Sequence, residues 1–305
     1  MDHMNPIGII SGSGMKSLST LESPLEIEVE TPFGKPSAPL ITGSIAGVPV
    51  VIMRRHGDGH TTLPSEINVR ANVAALKMQG VHQVISFSAV GSLSETAPPG
   101  TFVLVDQYVD RTYLRKKTFF GDGIVAHVPF GDPVCSDSRI AIADALAEKR
   151  IPHINGGTYI VMEGPQFSTR AESEFHRSLG ATVIGMTAMP EPKLCREAEL
   201  CYNMLAMITD FDCWHADHDH VTADLVSARM EQNSCNAEAL LTAVLPRLAA
   251  RHSSCPNGCR EALSGAIMTD PARIGELKRR ELSLLLDRVL GVAQPEPIHT
   301  EQYTG

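Results

Sequence analysis

The sequence predicts an α/β fold, an open sheet covered by helices on both faces. Short apolar runs rich in β-branched residues recur along the chain, and stretches of helical period lie between them. Gly or Pro bounds several of the runs, as at strand ends. With 305 residues, 43% hydrophobic and 20% charged, the chain is long enough to bury a sizeable core.

The first expected strand is Ile7–Ile10, followed by Leu40–Ile41 and Val48–Met53. Pro64–Gln79 starts with Pro, runs amphipathically through "SEINVRANVAALKMQ", and stops at Gly80, a residue suited to end a helix. Strands are expected at Gln83–Ser86, Thr101–Val105, Thr158–Met162, Thr182–Met186 and Cys201–Ile208. Helices are expected at Ser138–Lys149, at Arg170–Leu179 before Gly180, and at Met189–Glu199. Asp224–Ala250 reads as one long helix, interrupted or ended near Pro246. Residues 251–260 read as a loop and residues 273–290 as an amphipathic helix. The tail "AQPEPIHTEQYTG" is polar, bears Pro and is expected to fray. No repeat or long linker divides the chain, so residues 1–270 form the main domain and 271–305 a C-terminal helix and tail.

A formal net charge of −9 argues against a broad nucleic-acid or anionic-membrane surface. No window reaches the ~18 consecutive apolar residues of a membrane span. The stretch "MDHMNPIGIISGSGM" has no basic region leading into a long apolar core, so a cytoplasmic location is expected. Seven cysteines in a chain this long do not make a disulfide scaffold. Free thiols are the expectation, although Cys255 and Cys259 in "SSCPNGCRE" could pair, or hold a metal with a third group.

Several strand ends carry chemistry. "IGIISGSGM" is a strand entering a Gly-rich turn, where backbone N–H groups can approach a phosphate, or a plain tight turn with Ser13 at its tip. In "RRHGDGHTTLP", Arg54, Arg55, His56 and His60 crowd together, as an anion site or a solvated basic loop. "ISFSAVGSL" ends a strand in small residues, with the Ser88 hydroxyl among accessible amides. Ligands of α/β sheets gather outside the carboxyl ends of strands, so these three ends together favour one composite phosphate pocket. No G-x-x-x-x-G-K-[ST] is present, which favours a free phosphate over a nucleoside triphosphate. "VMEGPQFSTRAE" offers Phe167, which could stack on a flat ring or fill core, and "GMTAMPE" offers Thr187 as cap or ligand. "MITDFDCW" ends an apolar run in Asp210 and Asp212. Strand alternation would put both carboxylates on one side and Phe211 on the other.

"TPFGKPS", "RHGDGHT", "SAVGSL", "DQYVDRT", "EGPQFSTRAE", "GMTAMPE" and "TDFDCW" stand in the order and at about the spacing of the trimeric purine nucleoside phosphorylases. The chain resembles that family over roughly residues 5–245, and most closely its branch acting on 5′-methylthioadenosine. The resemblance implies a single α/β domain with a central mixed, partly barrel-like β-sheet flanked by helices. It also implies a homotrimer, inorganic phosphate as co-substrate, and no metal or organic cofactor. By matching positions, Ser13, Arg55, His56, Ser88, Ala89 (through its backbone) and Thr187 bind phosphate. Ser at positions 13 and 88, where the family often has Thr, keeps the hydroxyl.

The same matching puts Phe167 against the base, Met186 under the ribose and His60 on the 5′ side, with Val226 walling an alkylthio group. His127 reaches the neighbouring subunit's 5′ pocket. The branch that cleaves 6-oxopurines has Asn at the position of Asp210. An adenine edge, with an N6 donor and an N7 acceptor, suits one ionised and one protonated carboxyl, so Asp210 and Asp212 imply a 6-aminopurine. "HADHDH" (215–220) could chelate a metal but is expected to be a polar lid. Cys135 with Cys201, and Cys195 with Cys255 or Cys259, are possible pairs, with thiols as the default state. The expected reaction is phosphorolysis of 5′-methylthioadenosine. The alternatives are a preference for adenosine, inosine or methylthioinosine, a non-catalytic adenine-nucleoside sensor, or a nucleotide-cofactor oxidoreductase resting on "SGSG" alone.

Overall fold

The computed structural model describes residues 4–12, 18–215, 223–251 and 255–291, without the side chains of residues 58 and 223–228. Among the described residues, eleven strands form one mixed sheet. The path runs β2 (Glu22–Ile27), β3 (Leu40–Ile45), β4 (Val48–Arg54), β1 (Ile7–Ser11), β5 (Gln83–Ser92), β10 (Val183–Gly185), β9 (Thr158–Val161) and β7 (Gln107–Asp110). Off this path, β11 (Cys201–Asp210) pairs with β5 and with β6 (Phe102–Leu104), and β6 pairs with β8 (His153–Asn155).

The simple open sheet is thus corrected to a branched one, the mixed sheet that the family resemblance implies. The branch point is β5. It is parallel to β1 through Gln83–Ser86, parallel to β11 along nearly its whole length, and antiparallel to β10 only at Gly91 and Ser92. Both β5 and β11 are central, and all ten residues of β11 are buried. This is why "CYNMLAMI" reads as a continuous apolar run instead of an alternating one.

Three strands carry too little apolar signal to be read from sequence. Five of the six residues of β2 are exposed at the sheet edge, and β7 and β8 are short and at most half-buried. Helix α1 (Val69–Met78) begins later than Pro64 suggests, because the Asn68 side chain caps it by accepting from the Ala71 N–H. Helices α2 (Ser136–Glu148), α3 (Arg170–Ser178) and α4 (Glu191–Glu197) match the expected segments to within a few residues. The long α5 (Ala223–Ala249) passes through Pro246, which sits in its last turn. Among the described residues, no helix is long and apolar enough to cross a membrane.

The C-terminal segment divides into α6 (Glu276–Glu281) and α7 (Ser283–Leu290) in place of one helix. Leu282, Leu285 and Leu286 are buried in the same apolar cluster as Val73, Leu76 and Leu200. Arg288 of α7 donates to both carboxylate oxygens of Glu199. The segment therefore belongs to the main core. Leu286→Ala should lower the free energy of unfolding by ~2–5 kcal/mol, the usual range for emptying a buried leucine site. A urea-denaturation difference near zero would show that α7 does not support that core.

Candidate active site

The sheet leaves a gap where β5 changes neighbours. Its ladder with β1 ends at Ser86 and its ladder with β10 begins at Gly91, so among the described residues no strand pairs with Phe87–Val90 on that edge. The backbone groups of one residue share an edge, and successive residues alternate edges. The Phe87 carbonyl faces the gap, since it accepts from Arg55 Nη1 at 3.0 Å. By the same alternation, the Ala89 N–H also points into the gap. This gives a physical reason for Ala89 as a backbone donor.

Arg55 follows β4 and is 1% exposed. Its Nε donates to Glu191 Oε1 at 2.5 Å and its Nη2 to Glu191 Oε2 at 3.2 Å and to Ser86 Oγ at 2.7 Å. Burial alone would lower the Arg55 pKa, but the Glu191 carboxylate overrides it and raises the value, so the guanidinium stays charged. The fork expected to clamp a phosphate grips Glu191 instead. Among the described residues, four of the five guanidinium N–H groups have acceptors, which leaves one on Nη1 for a ligand. That atom lies 3.0 Å from where a Cβ on Gly12 would stand, so Gly12 keeps the approach open. Glu191 also accepts from Ser86 Oγ at 2.8 Å and from Tyr202 Oη at 3.0 Å.

Ser88 Oγ lies 2.9 Å from Thr187 Oγ1 and 3.3 Å from Tyr159 Oη, which brings together two of the predicted phosphate ligands. His56 is buried beside Arg55, and its ring stacks on His60 with centroids 4.0 Å apart. Burial, then the charge of Arg55 and then that of His60 push the His56 pKa down to about 4. At neutral pH His56 is therefore uncharged, and its Nδ1 lies 3.4 Å from the Thr62 carbonyl, which can take the ring's one N–H. Ser13 lies outside the described residues.

The two carboxylates sit at the far end of the β5–β11 pair. Asp210 is opposite Gly91, three residues beyond Ser88. At ~3.3 Å per residue this is ~10 Å along the strand, a separation one nucleoside can bridge. The arrangement of the pair corrects the strand-alternation expectation. The register slips between Ile208 and Asp210, and the Thr209 hydroxyl donates to Asp210 Oδ2 at 2.7 Å. The strand then ends, and Asp212 has φ 51°, a left-handed conformation. A turn holds the pair together: the Asp212 N–H donates to Asp210 Oδ1 at 2.8 Å.

Ser173 Oγ of α3 donates to Asp212 Oδ2 at 2.5 Å. Helix α3 is fixed at its start by a reciprocal cap between Thr169 and Glu172. The turn is anchored beyond by Trp214, whose Nε1 donates to Ser92 O at 2.7 Å while Arg177 lies 3.6 Å over its ring. Burial raises the pKa of both carboxyls, and the Asp212 charge adds to the rise at Asp210. Gly91 is needed for space. A Cβ there would lie 3.0 Å from Asp210 Oδ1 and 3.3 Å from Asp212 Cβ.

Phe167 is 54% exposed, so its ring is available to a ligand. Met186 packs against Gly164, where a Cβ would stand 2.5 Å from its Sδ. Arg115, absent from the sequence reading, ties this region together. It donates to Glu163 Oε1 at 2.9 Å and to the carbonyls of Met186 at 2.6 Å and Met189 at 2.7 Å. His127 is exposed, on a segment held by a hydrogen bond from its N–H to Ala266 O at 2.9 Å. Val226 is on α5, but its side chain lies outside the described residues, as do residues 216–220 of "HADHDH". None of the seven cysteines forms a disulfide. Cys195 lies in the main apolar cluster, whereas Cys255 and Cys259 gather with Cys135 and Cys201.

The sequence model of the phosphorylase superfamily matches residues 6–246. The chain belongs to the phosphorylase superfamily. It is 48% identical over 285 residues to an S-methyl-5′-thioadenosine phosphorylase of Rhodospirillum rubrum, covering 93% of this chain and 97% of that one. It is 50% identical to the enzyme of the same name from Bradyrhizobium diazoefficiens, with the same coverage. Among solved structures, a methylthioadenosine phosphorylase from an antarctic soil metagenomic library matches with TM-score 0.87 and 40% identity, covering 92% of this chain and 99% of that one. The Schistosoma mansoni methylthioadenosine phosphorylase in complex with adenine matches with TM-score 0.83 and 33% identity, covering 87% and 99%.

Within this superfamily member, Glu191, Tyr159, Ser173 and Arg115 are the site residues that sequence reasoning missed. Glu191 had a signal, as the carboxylate that closes "GMTAMPE" at the start of a helix. Glu191→Gln leaves the buried Arg55 charge without its counter-ion. It should cost ~3–5 kcal/mol of unfolding free energy in chemical denaturation, and a loss below ~1 kcal/mol would refute the pair's role.

His56 supplies a second expectation. The unfolded chain takes up a proton on this group near pH 6.5, whereas the folded chain does so only at about 4. His56 therefore weakens folding as pH falls through that window. An NMR titration of His56 should show a midpoint near 4, and a midpoint near 6.5 would contradict its burial beside Arg55.

Proposed function

We propose that this chain cleaves the N-glycosidic bond of 5′-methylthioadenosine with inorganic phosphate, giving adenine and 5-methylthioribose 1-phosphate. The observation that carries the reading is the buried Asp210–Asp212 pair three residues along β5 from the Ser88 donor cluster. One end of that cleft suits an oxyanion and the other an amino-bearing purine edge. The names of the relatives support the same substrate.

The chemistry follows from charge. As the bond from C1′ to N9 lengthens, positive charge grows on the ribosyl ring and negative charge on the purine. Phosphate, oriented by the Ala89 N–H, the Ser88 and Thr187 hydroxyls and the free Arg55 N–H, stabilises the cation and then bonds to C1′. Asp210, its pKa raised chiefly by burial, holds a proton toward N7 and makes the purine a neutral leaving group. Asp212, oriented by Ser173, accepts from the N6 amino group. Phe167 stacks on the base and Met186 lies under the ribose. No cofactor takes part in this scheme.

We further infer that the enzyme works in the cytoplasm as a homotrimer. His127, exposed in the single chain, then completes a neighbour's 5′ pocket beside His60 and Val226.

Release of free base from methylthioadenosine, adenosine and inosine, with and without phosphate, tests the reading. Methylthioadenosine should be the preferred substrate and phosphate obligatory. Negligible methylthioadenosine turnover beside fast inosine turnover would reject it. Asp210→Asn should lower kcat/KM for methylthioadenosine by ~10²–10⁴-fold, the usual worth of a general acid. An acid with a raised pKa keeps its proton to higher pH, so wild-type activity should fall as pH rises through that pKa. The variant should lack this alkaline limb.

A further inference from the structure

We propose that Cys135, Cys201, Cys255 and Cys259 form a structural tetrathiolate site for a zinc ion. Their four sulfur atoms all lie within 4.8 Å of one another, and Cys135 Sγ and Cys255 Sγ are 3.6 Å apart. Four thiolates at roughly 2.3 Å from a tetrahedral zinc stand ~3.8 Å apart, so the cluster needs little movement to close on an ion. Three of the four are buried and Cys255 is half-buried. A soft, four-sulfur donor set favours zinc over the oxygen-preferring divalent cations.

Each ligand is delivered by an ordered element. Cys135 is the residue before α2, and its N–H donates to Tyr202 O at 3.0 Å. Cys201 begins β11, with its N–H donating to His82 O at 2.9 Å. The C-x₃-C stretch folds as a knuckle: the Gly258 N–H donates to Cys255 O at 3.0 Å, and Gly258 is left-handed at φ 64°. Between its two cysteines stands Asn257. In the amide orientation that satisfies both of its ends, the Asn257 oxygen accepts from the Ser136 and Asp137 N–H groups, each at 3.0 Å.

Binding would proceed with balanced charge and protons: four thiols release four protons as zinc binds, leaving a site of net charge −2. The positive end of the 13-residue α2 and the Arg196 charge felt at Cys259 both offset that charge. The role is structural because Cys201 and Asp210 are the two ends of β11, ~30 Å apart at ~3.3 Å per residue. The ion would tie the segment after α5 to the N-terminus of α2 and the start of the central strand.

The test is metal content and thiol count on the full chain, purified without chelator. Mass spectrometry of the metal should find about one zinc per chain. Cys255→Ser and Cys259→Ser, made separately, should each reduce zinc to background. Wild-type protein denatured in chelator without reductant should titrate all seven cysteines as thiols. Absence of stoichiometric zinc in the wild type overturns the proposal. So does a count of only three thiols, since four of seven cysteines would then be two disulfides.

Discussion

The rest of the site depends on the buried ion pair between Arg55 and Glu191. Strand β5 must part from β1 at Ser86 before it can join β10 at Gly91, and that parting leaves backbone groups inside the protein without strand partners. An unpaired buried carbonyl is costly, and a lone buried guanidinium is costlier. Arg55 resolves both, giving one arm to the Phe87 carbonyl and two to Glu191. The gap between the two ladders can then stay open without collapsing. Because Glu191 already balances much of the arginine charge, hydroxyls and amides must do most of the anion recognition. That fits a reactant which has to leave again as a sugar phosphate.

The opposite end of the cleft works by withholding water. Asp210 and Asp212 would each prefer to ionise in solvent, and each is only 7% exposed. Desolvation therefore raises the pKa of each and favours a carboxyl that keeps its proton. The Thr209 hydroxyl and the Asp212 N–H, by donating to Asp210, limit how far its pKa can climb. The left-handed backbone at Asp212 follows from the same need, since an extended chain would carry the second carboxylate onward along the strand. The turn folds it back so that its own N–H reaches Asp210.

Much of this was legible in the sequence, for a physical reason. Sites built from backbone amides need small residues at strand ends, and "SGSG" and "SAVGS" announce such ends without any tertiary information. The Asp–x–Asp pair announces a polar edge after an apolar run. What stayed hidden depends on contacts between distant segments. Glu191 faces a residue 136 positions away, and Arg115 reaches loops 48 to 74 positions on. Strand β2 is polar at the sheet edge, so periodicity had nothing to register. The left-handed Asp212 was misread as strand because alternation is the default only while the ladder lasts. Cys135 and Cys201 read as a possible pair with each other, but no local spacing connects them to Cys255 and Cys259.

The two ends of the β5–β11 ladder carry opposite demands. At the carboxyl end the chain holds partly unsatisfied donors, a raised-pKa carboxyl pair and a left-handed non-glycine residue, each of which costs stability in exchange for chemistry. At the amino end, Cys201 starts the strand within a tightly packed sulfur cluster, and the neighbouring Glu199 is gripped by Arg288 of the last described helix. A central strand buried along its whole length transmits position well, because sliding it by one residue would break its pairing with both β5 and β6. Fixing Cys201 at one end therefore fixes where Asp210 stands relative to Ser88 at the other. In this protein the segments that follow α5, though remote from the chemistry, pack at the start of the strand whose far end carries Asp210.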